Sequence, residues 1–111
     1  MSAEASDTPI LDLLGRMTAD SMQTSTLDEQ TLMLVRVAAL VAVDAPPASY
    51  LLNLGAAGEV GVTSDQVTGV LSAVAPIVGT TRVVAAAGSM VKALGAAVEL
   101  AELAEYADAD G

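Results

Sequence analysis

Between Gln30 and Val98 the chain carries only six charged side chains, Arg36, Asp44, Glu59, Asp65, Arg82 and Lys92, and they sum to zero. The two ends differ: residues 1–29 and residues 99–111 each carry a net charge of −5. This partition constrains the fold strongly. A helix that is apolar all round must be buried. A chain of 111 residues has too little interior to cover several such helices by itself. The expected way out is a homo-oligomer in which neighbouring copies cover the neutral helices. A monomer would instead expose a large apolar patch.

The core must be aliphatic. Hydrophobic residues make up 53% of the chain, yet the aromatics are two Tyr, with no Phe or Trp. There is no Cys and no His. Their absence excludes thiol peroxidase chemistry, disulfide exchange, a Ser-His-Asp triad and zinc sites of the usual N/S type. A net charge of −10 with four Lys+Arg argues against a grip on nucleic acid. A mean hydropathy of +0.58 raises the question of a membrane. The run Leu32 to Val43 is broken by Arg36, and the run Val70 to Val78 stops at Gly79-Thr80-Thr81-Arg82. Neither reaches the roughly 18 charge-free residues that a span needs, so no membrane association is expected. The acidic start, Met1-Ser2-Ala3-Glu4, does not have the basic region of a secretory leader, and a cytoplasmic protein is expected.

Five helices are expected. Residues 1–8 are expected to be disordered, 9–107 to form one all-α domain, and 108–111 an acidic tail. Thr8-Pro9 opens the first helix, with Ile10, Leu11, Leu14 and Met17 on one face. Thr26-Leu27-Asp28-Glu29 has the form of a capping box, opening a second helix that Asp44-Ala45-Pro46-Pro47 ends. A third helix starts near Pro47 and closes at Gly61, a residue suited to a left-handed cap. Thr63-Ser64-Asp65-Gln66 is another capping box. The fourth helix closes at Gly79. Thr80 or Thr81 caps the last, which is expected to reach Tyr106. Gly88 and Gly95 fall near one face of it, where small residues would let another helix approach.

The stretch Leu27-Asp28-Glu29-Gln30-Thr31, the apolar helix after it, the Pro-Pro break, the junction Ala56 to Gln66 through Gly61-Val62-Thr63, and Ala73 to Thr80 together resemble the carboxymuconolactone decarboxylase family, which includes the alkylhydroperoxidase D-like proteins. The resemblance covers roughly residues 27–95. It implies an all-α helix bundle assembled as a trimer or hexamer. Peroxidase-type members carry Cys-x-x-Cys, a His four residues on, and a Glu one helix upstream. The matching positions here are Pro46, Ser49, Asn53 and Leu34, and none has the required chemistry. Members that decarboxylate lactones use His among their polar groups, and this chain has none. The resemblance therefore implies fold and assembly without either activity.

Three groups of residues are candidates for chemistry. Arg36 interrupts the apolar second helix and suits a carboxylate ligand in an inter-helix pocket, or an ion pair with Asp44, Glu29 or Glu59. Asp44, Ser49, Tyr50 and Asn53 gather around the Pro-Pro break. A buried Asp44 could serve as a general acid or base with Tyr50 as donor, or these residues could merely support the turn. Glu99, Glu102 and Glu105 repeat every third residue, as a cation site or, in the simpler reading, as a solvated helix end. The methionines are core filler. No cofactor or metal is expected.

These features lead to one expectation, a carboxymuconolactone decarboxylase-like pseudoenzyme that partners itself as a structural or small-ligand-binding oligomer, with a small apolar or acidic ligand. The alternative is an enzyme acting on a small organic acid or lactone through Arg36, Asp44 and Tyr50, which then must converge on one cavity. A third possibility is a helper subunit docking onto another protein through its neutral helices.

Overall fold

A computed structural model describes residues 7–110, with side chains from Asp7 to Glu105. All the regular structure among them is helical: α1 (Pro9–Thr24), α2 (Glu29–Ala42), α3 (Pro47–Glu59), α4 (Ser64–Val78) and α5 (Thr80–Asp110). Helix α5 continues past Tyr106, through the first residues of the expected acidic tail. The expected disordered segment, 1–8, lies mostly outside the described residues.

The helix ends follow from local chemistry. Pro9 opens α1, where its missing N–H has no role. Helix α2 starts two residues later than expected. Asp28, not Thr26, is its cap, and both carboxylate oxygens accept from Thr31, one from the backbone N–H at 2.8 Å and one from the hydroxyl at 2.9 Å. An ionised acceptor makes the stronger cap. The Thr31 backbone N–H, and then its hydroxyl, hold the Asp28 carboxyl below the usual Asp range. At α4 the expected capping box forms: the Gln66 N–H donates to Thr63 Oγ1 at 3.1 Å, and the Thr63 N–H donates to Gln66 Oε1 at 2.9 Å.

Two helices end in the same way. After α3, Gly61 turns left-handed at φ +90° while the Val62 N–H reaches back to the Ala57 carbonyl. After α2, Asp44 takes the corresponding position at φ +55°, and the Ala45 N–H reaches the Leu40 carbonyl. Both are Schellman closures, which satisfy helix-end carbonyls through one left-handed residue. Gly79, also at φ +90°, separates α4 from α5. Arg82, in the first turn of α5, donates to the Ala42 carbonyl at the end of α2, where a cation meets the negative end of the helix dipole.

Helices α2 to α5 form the packed body, with α5 laid against α3, α4 and α2. Its centre is Tyr50, fully buried with Val41, Ala45, Ala86 and Ala93, and surrounded by half-buried residues such as Leu51, Leu71 and Met90. A smaller cluster joins Leu32, Met33 and Ala57. The small residues at the helix contact are Ala86 and Ala93. Gly88 and Gly95, the expected contact glycines, are exposed with open space around them. A shift of two residues turns a helix face by about 200°, which places the glycines outward.

The chain is expanded for its length. Its radius of gyration is 16.3 Å, against about 13 Å for a compact domain of this size. It exposes 7619 Å², where a folded monomer of its mass exposes about 5,700 Å². Helix α1 contributes no buried residue. The outward side of α5 exposes Val84, Val91, Leu94 and Val98, each by half or more. By length and composition the segment Thr80–Glu105 could also cross a membrane, with a mean hydropathy of 1.6 over its most apolar stretch. Arg82 lies in its first turn. Beyond it, Lys92 is the one charge before Glu99.

Candidate functional site

An open cleft of about 600 Å³ lies between α1, α2 and α3. Leu14, Met17 and Met22 form the α1 wall, Leu32 and Met33 the floor, and Leu52, Ala56 and Val60 the α3 wall. Arg36, Glu29, Glu59 and Asn53 supply its polar groups, with Thr18 and Ser21 from α1.

Arg36 was expected to pair with an acid. Among the described residues it makes no such pair. Its Nη2 instead donates to the Ser21 hydroxyl at 3.1 Å and to the Thr18 carbonyl at 3.5 Å. The guanidinium thus ties α1 to the body, and its charge is left without a carboxylate in contact. Ser21 and Thr18 were missed in the sequence. The signal was there, since both share the apolar face of Leu14 and Met17 at helical spacing.

The other candidates do not meet Arg36. Tyr50 is in the core and Asp44 is exposed on the turn after α2, and neither lines the cleft. Among the described residues the Tyr50 hydroxyl has no hydrogen-bond partner. Burial, and secondarily the Asp44 charge, raise the Tyr50 phenol above its ordinary pKa of 10.0. A phenol held neutral and enclosed in aliphatic side chains has no path to a substrate. The convergence of Arg36, Asp44 and Tyr50 that the enzyme alternative requires does not occur: they occupy a cleft, a turn and the core.

The positions matched to the family's thiol site are equally dispersed in role. Leu34 is half-buried on α2, and Pro46 is the residue before α3. Asn53 Nδ2 donates to the Ser49 carbonyl one turn earlier, at 2.8 Å, a local bond of the kind Asn makes inside helices. Glu99, Glu102 and Glu105 are exposed, and among the described residues no group of acids is placed to hold a metal.

The backbone at Asp44 explains its presence without chemistry. A left-handed position tolerates Asp, Asn and Gly best. Asp44→Gly is therefore expected to keep the thermal midpoint or raise it by a few degrees, whereas Asp44→Val should cost about 1–2 kcal/mol. Thermal melts of the two variants check this, and equal losses in both would assign Asp44 a contact beyond the turn.

Two further apolar grooves flank α5. One, of about 400 Å³, runs between α5, the start of α4 and α3; the other, of about 250 Å³, lies between α3 and α5. Leu54 and Leu94 border both. No known protein family, curated protein or solved structure matches this chain.

Proposed function

We propose that this chain is a non-catalytic, self-assembling protein of the carboxymuconolactone decarboxylase-like type, one that keeps an oligomeric helix bundle without the thiol site and serves as a structural or small-ligand-binding protein. The observation that carries this reading is the outward face of α5. Val84, Val91, Leu94 and Val98 are 50–70% exposed on a helix whose other face is in the core. Single exposed apolar residues are ordinary, but a continuous stripe of them marks an interaction surface. The excess exposed area points the same way.

The cleft beside Arg36 supports the small-ligand part of the reading. It is apolar over most of its lining and offers one guanidinium with no acid in contact, a polar anchor in an apolar pocket. The enzyme alternative has no such support, because its three residues share no cavity.

Native mass spectrometry of freshly purified protein tests the proposal. The expected spectrum shows a closed homo-oligomer, a trimer or hexamer if assembly follows the family. Added mass in simple ratio to subunits would identify a retained ligand. A monomer at micromolar concentration would overturn the assembly and with it the account of the neutral helices.

A further inference from the structure

We infer that α5 is a two-fold interface: the Val84–Val98 stripe of one copy packs antiparallel against the same stripe of a second copy, each ridge seated in the groove beside the other's α5. This rests on the self-assembly proposed above and specifies which face of the chain performs it; a two-fold contact builds a dimer or a hexamer made of dimers, and a lone trimer would overturn it.

The surface fits a copy of itself. Val84, Ala87, Val91, Leu94 and Val98 follow the alternating three- and four-residue steps of a helix–helix seam. All five are exposed. No charge lies on that stripe, since Lys92 points to its flank by helical phase. Gly88 and Gly95 border it with nothing within 4 Å of the Cβ each would carry, so a partner backbone can come close. The ridge is next to the 400 Å³ groove bordered by Val67, Leu71 and Leu94. A ridge beside a groove is self-complementary under a two-fold axis, as an isologous interface requires.

Area and charge select the occupant and its direction. The chain exposes roughly 2,000 Å² beyond a compact monomer of its mass. That excess is shared by α1, the end of α5 and the stripe, and only the part on α5 is available to a second copy here. Charge then sets the orientation. A parallel pair would place Glu99, Glu102 and Glu105 of both copies side by side, and like charges there repel. The antiparallel pair sends the two acidic ends apart and brings each beside the partner's α5 N-terminus, the positive end of its dipole.

Cysteine cross-linking reads this directly, because the chain has no cysteine of its own. Interdigitated so that Val91 of one copy faces Leu94 of the other, the antiparallel pair puts Ala87 of one copy opposite Val98 of the other. The double variant Ala87→Cys/Val98→Cys should give a covalent dimer under mild oxidation. The single variant Ala87→Cys should stay monomeric on a denaturing gel, its two thiols held about 16 Å apart. Val91→Glu, at a position 70% exposed in the protomer, should fold normally by circular dichroism and weaken self-association at least ~100-fold. Ile77→Glu, at an 85% exposed position on α4, should leave the cross-link intact. Cross-linking of the single variant would mean a parallel pair and overturn the antiparallel register. An oligomer by native mass with no cross-link in the double variant would overturn this face while leaving self-assembly standing. A monomer that co-sediments with phosphatidylcholine vesicles through α5 would overturn both.

Discussion

Tyr50→Ala is expected to lose about 3–5 kcal/mol of stability, the range for emptying a large aromatic site in a close-packed core. Tyr50 is the one aromatic side chain in the described core, packed with Val41, Ala45, Ala86 and Ala93. Tyr50→Phe should behave differently. The hydroxyl is buried without a partner among the described residues, and leaving such a group unsatisfied costs about 1–3 kcal/mol. Its removal should therefore be neutral or stabilising by up to about 1 kcal/mol. The pH dependence follows the same logic. Folding raises the phenol pKa, so its contribution is fully present below its ordinary value of 10.0 and is lost as pH rises through the higher folded value. Urea melts at about pH 7 and about pH 11 should show the native chain weakening at the higher pH. Tyr50→Phe should remove the Tyr50 part of that loss. A Tyr50→Phe protein that lost more than about 1 kcal/mol would show that the hydroxyl has a partner in the assembled protein.

Gly61→Val should cost about 2–4 kcal/mol. At φ +90° a β-branched side chain is strained whatever room it has. Here there is also little room. A Cβ at Gly61 would lie 2.9 Å from the Gln30 side-chain amide, which donates to the Val60 carbonyl at 2.9 Å. That bond ties the start of α2 to the end of α3, so the substitution strains the turn and displaces the clasp together. Gln30→Ala removes the clasp alone and should cost about 1 kcal/mol. Equilibrium unfolding of both variants separates the two effects; equal losses would mean that backbone strain at Gly61 contributes nothing.

Helix punctuation was legible in the sequence because it is decided within four or five residues. Pro9, the Thr63–Gln66 box, Gly61 and Gly79 act as their chemistry dictates. The start of α2 was misread for a local reason: two competent caps, Thr26 and Asp28, stand two residues apart, and the charged one prevails. Facing was harder to read. On α5, small residues come in runs, Ala85-Ala86-Ala87-Gly88 and Gly95-Ala96-Ala97, that reach every side of the helix, and which of them meets α3 depends on helix phase that composition does not encode. The site was least legible. Arg36 finds its partners on α1, whose placement against α2 depends on a link of a few residues and on apolar contacts without distinctive spacing. Asp44 looked reactive as a residue type, and its backbone shows that it was selected for a turn.

Helix α1 has no buried residue and is held to the body by Arg36 and the open cleft. In terms of local unfolding, it belongs to the lowest tier of the molecule, and sixteen residues in water make a marginal helix without packing. Its release needs far less free energy than unfolding of the α2–α5 body. The cleft therefore exists only in the fraction of molecules in which α1 is docked. By mass action, a ligand that fills the cleft raises that fraction, and its apparent affinity carries the cost of docking the helix.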